Sequence, residues 1–296
     1  MKKYIILSVN DNIEYLFYIP LVCWSWEQIG CTPILFFNRD RSNDGIDNPL
    51  RDIEQLTIDA GGGKGNVLTR RVESIPGYRS DTVTQISRLY AACLPFIEED
   101  DYIMTGDIDM MALSNYWEFD AEKITVWGDD LTGYKHYPIC YIGAKKKKWK
   151  QFMKLDFSDY NVLIKRDLDS SPEAKSPDFY DFWFVDQNVI TSNIKNFGEG
   201  IIPEHRGQYS NGYARWRVDR GDWHLNHEKF VDAHLHRDIF KVFWELKDEE
   251  PERSKKATMY TKKWNDTMDL LMKVWPNEDW QWFVDYSIQY AKMTQP

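Results

Sequence analysis

The sequence predicts an α/β fold, a mainly parallel central sheet flanked by helices with a helical appendage at the C-terminus. Three observations carry that prediction. The run "YIILSV" at residues 4–9 is short, apolar and rich in β-formers, and it gives way to polar turn-formers, the pattern of a parallel strand buried on both faces. A segment of helical length and a second apolar run, "TPILFF", follow it, and strand, helix, strand is the opening unit of a doubly wound sheet. Hydrophobic residues make up 43% of the 296-residue chain and aromatic residues 15%, enough for a sizeable core and too much for disorder.

The elements follow in order. Asn10, Asp11 and Asn12 close the first strand, and ligands of doubly wound sheets bind beyond the carboxyl ends of strands. Residues 13–29 carry a helical apolar period, close at Gly30, and contain Pro20, which predicts a kink or an early break. "TPILFF", residues 32–37, is the second strand. Residues 38–65 are polar and Gly-rich, and their "GGGKG" lacks the spacing and the Ser/Thr of a phosphate-cradling loop, so it reads as a flexible turn. From Ser80, "SDTVTQISRLYAACLPFI" predicts a capped helix with Val83, Ile86 and Leu89 on its apolar face, Arg88 in its second half, and Pro95 ending it. Further strands are expected at 102–104, 123–128 and 137–144, and the lysine run 145–148 reads as a solvated helix start. The later half is loop-rich and aromatic until two helices around "WNDTMDLLMKVW" and "WQWFVDYSIQYAKM", separated near Pro276 and Asn277. The expected division is a catalytic domain over residues 1–240 and a helical extension over 241–296 that packs on it.

Composition narrows the partners. A net charge of −10 disfavours nucleic acid and anionic membranes as global partners. The start "MKKYIILSVN" has a short apolar run without a cleavage pattern, so no signal peptide is expected, and no stretch of about 18 apolar residues offers a membrane span. Cys23, Cys31, Cys93 and Cys140 are scattered without metal-ligand or redox spacing, as expected of reduced thiols in a cytoplasmic protein.

The chemistry concentrates in "DDYIMTGDIDMMALS", residues 100–114, where an apolar strand ends in acid. In an extended segment Asp107 and Asp109 point to the same side and can converge on one cation. Oxygen-rich donors of this kind suit Mg²⁺ or Mn²⁺, with a diphosphate completing the coordination. Gly106, just before, would admit close approach of backbone and ligand. A bare Asp-x-Asp is common by chance, and an exposed acidic turn is the competing reading; the buried-strand context favours a functional pair.

With two flanking segments, this motif resembles the nucleotide-sugar glycosyltransferases of the GT-A fold. "ISRLY", residues 86–90, is similar to the Arg-containing helix that precedes the motif in glycogenin-like enzymes, and "FVDQNVI", residues 184–190, resembles their downstream Asp-Gln segment. The resemblance spans about residues 1–237 and is closest in arrangement to glycogenin-like enzymes and to small glycosyltransferases of large DNA viruses. It implies a Rossmann-like GT-A sheet and transfer of a hexosyl or pentosyl unit from a UDP- or GDP-linked sugar to a glycan or glycoside hydroxyl, as in glycan biosynthesis. For a viral chain the compartment would be the host cytoplasm.

The resemblance also implies roles for single residues. A His near the end of the catalytic domain supplies a third metal ligand in the family, and "VDAHLHRD", residues 231–238, offers His234 first and His236 as its rival, since alternation puts both on one side. An imidazole beside two carboxylates tilts the metal from Mg²⁺ towards Mn²⁺. Arg88 would pair with the diphosphate or hold Asp107 in place. Asn10 and Asp11 correspond to the region that receives base and ribose. Asp186, with Gln187 beside it, would sit at the reacting sugar: a general base if transfer inverts, a positioning and charge-stabilising group if it retains, with a helix cap as the structural alternative. Asp129 and Asp130 form a second acidic pair that suits sugar hydroxyls or a plain turn. The aromatic region 180–223 suits an acceptor sugar or a core. Two other functions stay open on sequence: a Mg²⁺-dependent sugar-phosphate phosphatase or phosphotransferase with an Asp nucleophile, and a non-enzymatic carbohydrate-binding protein holding Ca²⁺.

Overall fold

The computed structural model describes residues 1–38, 49–62, 67–114, 117, 122–127, 136–155, 159–198, 200–204, 217–220, 230–244 and 253–295. Strand β1 (Lys3–Val9) alternates strictly: Ile5, Leu7 and Val9 enter one hydrophobic cluster, Tyr4 and Ile6 the other. The segment predicted as one helix forms two, α1 (Ile13–Leu16) and α2 (Ile19–Gln28). Pro20 lies in the first turn of α2, where its missing N–H would have had no partner anyway, so it acts as a break and not a kink. β2 (Thr32–Asn38) follows as expected.

The polar segment read as loop and turn contains a helix, α3 (Pro49–Gly62), whose last residues are the first two glycines of "GGGKG". Ile53, Leu56 and Ala60 recur at helical spacing and pack into the cluster beside α2, a pattern that glycine content and polarity had hidden. β3 (Leu68–Val72) leads to α4 (Ser80–Ser87), which tightens into a 3₁₀ segment over Arg88–Cys93. Arg79 is the N-cap residue, so Ser80 is the first helical residue and not the cap.

β4 (Tyr102–Thr105), β5 (Met110–Ala112), β6 (Ile124–Trp127) and β7 (Ile142–Lys145) come next. The strand predicted over 137–144 begins only at Ile142. α5 (Lys146–Phe152) starts inside the lysine run, yet Lys146 is buried, its Nζ donating to the carbonyls of Leu94 (3.0 Å) and Ile97 (2.6 Å). That lysine closes the end of the preceding 3₁₀ segment instead of meeting solvent. The half read as loop-rich holds α6 (Tyr160–Ser170), α7 (Phe179–Trp183) and α8 (Val185–Phe197), then β8 (Ile201–Glu204), β9 (Arg217–Val218) and β10 (Asp232–His234). Helices α9 (Arg253–Val274) and α10 (Gln281–Thr294) end the chain.

Seven strands form the main sheet in the order β3-β2-β1-β4-β7-β6-β8. All neighbours are parallel except at β7, which runs antiparallel to both β4 and β6. The mixed, mainly parallel sheet flanked by helices expected from sequence is therefore present. β5, β10 and β9 make a second, small sheet that the sequence did not announce. Between β4 and β5 the chain turns sharply, Met110 N donating to Asp107 O at 3.1 Å.

The last two helices share one cluster with the sheet: Leu270, Leu271, Phe283 and Tyr290 pack together with Ile5, Leu7 and α2. Phe17, between α1 and α2, stacks on Tyr286 and meets Phe240, Phe283 and Tyr290. Tyr286 Oη donates to Phe17 O at 2.9 Å, and Tyr290 Oη donates to Ile13 O. Trp24 sits edge-on to Trp275 and Trp280. Burial of each such aromatic contributes on the order of 1.5–3 kcal/mol, so the C-terminal helices fix the short segment that follows β1.

Candidate active site

The carboxyl end of β1 delivers Ser8, Val9 and Asn10 to a cavity of about 550 Å³. Beside it, Gly106 N donates to Ile6 O at 2.9 Å, which carries the β1–β4 ladder one residue past β4 and releases Asp107 at the same edge. The space over Gly106 is filled by protein: a Cβ there would lie 2.9 Å from Ile5 Cδ1 and 3.3 Å from Leu7 Cδ2. The glycine thus admits β1 side chains, where the sequence suggested a ligand.

Asp107 and Asp109 both line the cavity, but strand alternation is not what unites them. They lie on the turn between β4 and β5, and it is the reversal of the chain that aims both carboxylates one way. α4 and its 3₁₀ continuation present Asp81, Thr84, Gln85 and Arg88 to the same space, a set spaced to share one helical face. α7 and α8 add Phe179, Trp183, Asp186 and Gln187, and Arg220, His234 and Arg237 complete the wall.

Arg88 is the electrostatic centre of one half. Its buried guanidinium donates from Nη1 to Gly106 O (2.8 Å) and to Asp107, from Nη2 to Asp186 Oδ2 (2.8 Å), and from Nε to Gln85 O (3.1 Å). Burial opposes its charge, but Asp107 and Asp186 outweigh that and hold it firmly protonated. Burial also raises the Asp107 carboxyl, and the attraction of Arg88 more than reverses this, leaving it below the usual range. For Asp186 burial wins, and its carboxyl stays raised despite Arg88. Asp186 lies in the first turn of α8, which Phe184 caps, so it is not the N-cap; its Oδ1 accepts from Gln187 N at 2.7 Å.

Asp109 centres the other half. Leu235 N donates to Asp109 O at 2.9 Å, and His234 stands opposite Met110 in the β5–β10 register, so the small sheet sets His234 next to Asp109. Asp109 Oδ2 accepts from Arg220 Nη2 and lies 3.2 Å from His234 Nε2, while His234 Nδ1 lies 2.8 Å from Asp219 Oδ1. An imidazole that hydrogen-bonds two carboxylates through both nitrogens is an imidazolium. Burial works against that charge, and the two carboxylates overcome it, raising His234. The hydrogen bond from His234 in turn drives Asp219 far down. Tyr15, held by Arg237 Nη2 at 2.6 Å, is pushed up to about 12 by burial, with the Asp109 charge adding to it.

His236 goes elsewhere. β10 ends at His234, so period-two alternation stops there, and His236 packs towards α9 with Nε2 3.9 Å from Asp266 Oδ2. Asn10 lines the cavity, bonded to Ser80 Oγ (3.4 Å) and accepting from Asn12 N (3.2 Å). Asp11 is not among the lining residues; Asn12 takes that place. Asp129 and Asp130 lie outside the described residues, as do 205–216 and 221–223 of the aromatic region.

Sequence reading missed Arg220, Asp219, Tyr15 and Arg237. The only trace was the charge alternation in "RVDRGD", whose meaning depends on β9 pairing in parallel with β10. Asp107, Asp109 and His234 supply the donor types of a divalent-cation site. In the arrangement present Asp107 is bonded to Arg88, and Asp109 to Arg220 and His234, and among the described residues no three His, Cys, Asp or Glu side chains are grouped to hold a metal ion.

No family model matches the sequence and no curated protein matches it. Two solved structures of the glycosyltransferase GlyE from Streptococcus pneumoniae TIGR4, one of them the apo form, are each 10% identical to this chain, with TM-scores of 0.43 and 0.42. The alignments cover 100% of this chain and 64% and 66% of those chains, so this chain spans about two thirds of their length.

Proposed function

We propose that this protein is a metal-dependent glycosyltransferase that moves a sugar from a UDP- or GDP-linked donor to a hydroxyl of a glycan or glycoside acceptor. One observation supports the reading above the rest: Asp107, Asp109 and His234 meet Arg88, Arg220 and Asp186 in one cavity at the carboxyl edge of the parallel strands. Asp107, Asp109 and His234 would hold Mn²⁺ or Mg²⁺, their donor chemistry suiting either, once His234 gives up its proton and Arg220 turns from Asp109 to an incoming diphosphate, with Arg88 staying in place to orient Asp107. When bound, the cation supplies Lewis acidity towards the departing diphosphate.

The chain's own residues do the remaining work. Arg220 and Arg237 bring positive charge to the phosphates, and Asn10 and Asn12 offer amides to base and ribose. Asp186, buried and raised, accepts the acceptor's proton if transfer inverts; if it retains, Asp186 and Gln187 hold the sugar hydroxyls.

The test is a screen of UDP- and GDP-sugars for slow donor hydrolysis with Mn²⁺ and with EDTA. Release of UDP or GDP with Mn²⁺ only, lost in Asp109→Asn, is the expected result. Phosphate release from sugar phosphates without any nucleotide product would replace this reading with the phosphatase. Metal-dependent thermal stabilisation by UDP or GDP is the accompanying binding readout.

A further inference from the structure

Among the large apolar side chains exposed in the described residues, Phe179, 52% accessible, is the one that lines the cavity. An exposed aromatic at the mouth of a polar cavity is informative, because its burial would favour a ligand. Its ring stacks on Trp183, another lining residue, with centroids 5.1 Å apart and planes at 22°. The pair is held in place from behind. Phe182 is buried, meets Phe179 edge-on at 5.4 Å, and carries the Arg79 guanidinium 4.0 Å above its ring, while Ser176 Oγ donates to Asp181 Oδ2 at 2.7 Å. α8 continues directly from this platform and brings Asp186 and Gln187 into the same cavity.

A flat aromatic surface beside amides and carboxylates, here Gln85, Gln187 and Asp81, matches a neutral ring with an apolar face and hydroxyls at its edge. A pyranose has that shape: its C–H bonds line one face and its hydroxyls project sideways. Of the cations lining the cavity, Arg88 is taken up by Asp107 and Asp186, and Arg220 and Arg237 enter from other segments, flanking the small sheet. We infer that Phe179 and Trp183 form the stacking platform on which a sugar ring of the acceptor docks, so that these two residues select the acceptor. The inference rests on the transferase reading and adds to it the residues that receive the acceptor.

Saturation-transfer NMR tests it, with aromatic protons irradiated and lactose, maltose, cellobiose and N,N′-diacetylchitobiose as probes, in the presence of diamagnetic Mg²⁺ with UDP or GDP. Transfer to the ring C–H protons of at least one disaccharide is expected, with affinity falling about five- to tenfold in Phe179→Ala and kept in Phe179→Tyr. The nucleotide's affinity should not change in Phe179→Ala. No transfer to any of the four probes, in protein that hydrolyses a nucleotide sugar, overturns the acceptor platform and leaves the transferase reading standing. Weakened nucleotide binding with unchanged disaccharide binding also overturns it, by making the rings a base platform. Absence of donor hydrolysis and of metal-dependent nucleotide binding in the unaltered protein would sink the transferase reading and this inference with it. Phe179 is half-exposed, so a melting curve of Phe179→Ala matching that of the parent confirms that the readout is local.

Discussion

Replacing Arg88 by Met keeps much of the side-chain volume and removes the guanidinium. The side chain of Arg88 is 5% accessible and that of Asp186 is 1%, so Asp186 would be left as a buried carboxylate without a cation. Removing one partner of a buried pair costs about 3–5 kcal/mol, because the other charge stays desolvated. Asp107 contributes less, since its side chain is 28% accessible and water can replace Arg88 there. Asp186 has an escape that sets the pH signature. Its carboxyl is already raised by burial, and without Arg88 nothing comparable pulls it down, so it takes up a proton in the folded variant. A folded-state value above the unfolded one, about 3.9, means that the variant is relatively stable at low pH and loses stability as pH rises through that window, by up to ~1.4 kcal/mol per unit.

Urea unfolding from pH 5 to 8 measures the difference. The deficit of Arg88→Met should grow with pH and reach about 3 kcal/mol near neutrality. Adding Asp186→Asn should recover part of the loss and flatten its pH dependence, because the amide carries no charge to bury. Arg88→Lys should fall between, since an ammonium lacks the fork that reaches Gly106 O, Asp107 and Asp186 together. A deficit below about 1 kcal/mol at pH 7, or one independent of pH, would refute the assignment of Arg88 as the cation that neutralises Asp186.

Other predictions follow from packing and protonation. Burial lowers His236 from 6.5 to about 4, with Asp266 opposing the shift and Lys262, Lys263 and Arg220 adding to it. The unfolded chain therefore binds more protons between those values, stability should rise with pH across them by roughly 2–3 kcal/mol, and His236→Asn should remove most of that slope in urea titrations. Gly143→Ala should cost at least about 1–3 kcal/mol, because a Cβ would meet the buried Tyr102 ring at 2.6 Å and Trp127 at 2.9 Å; an unchanged midpoint would mean that the ring moves freely. Tyr286→Phe leaves Phe17 O without its donor, and a loss of about 1 kcal/mol is expected in thermal unfolding.

Strands β1, β2 and β4, the helix that leads to Arg88 and the acidic pair were legible because each is written locally: an apolar run, a period, two carboxylates one residue apart; β3, with two arginines in five residues, was not. What was not legible depends on pairing across the chain. Arg220 reaches Asp109 over 111 positions, and the register that selects His234 over His236 is set by β5 and β10, strands of three residues each, too short to leave a pattern. α3 was hidden for the opposite reason: its glycines and charges dominate the composition, while its apolar face is only one residue in three or four. Parity arguments failed wherever the backbone leaves the strand, at the Asp107–Met110 turn and beyond His234.

The two halves of the cavity separate stability from chemistry. In the Arg88 half the Arg88–Asp186 pair is sealed, so neither of its charges can be altered without cost to the fold. The Asp109 half is less closed: Asp109 itself is buried, but water reaches its partners, 28% accessible at Arg220 and 22% at His234. Asp109→Asn keeps the size and an acceptor oxygen for Arg220, and because water reaches Arg220 and His234 the charges left behind are not sealed, so the loss stays below the ~3–5 kcal/mol of a fully buried pair. It should therefore unfold within about 2 kcal/mol of the parent while Mn²⁺ affinity, followed by paramagnetic relaxation of water, falls by at least about tenfold. Unchanged Mn²⁺ affinity would remove Asp109 from the cation site; a large stability loss would make it a structural partner of Arg220 and His234 instead.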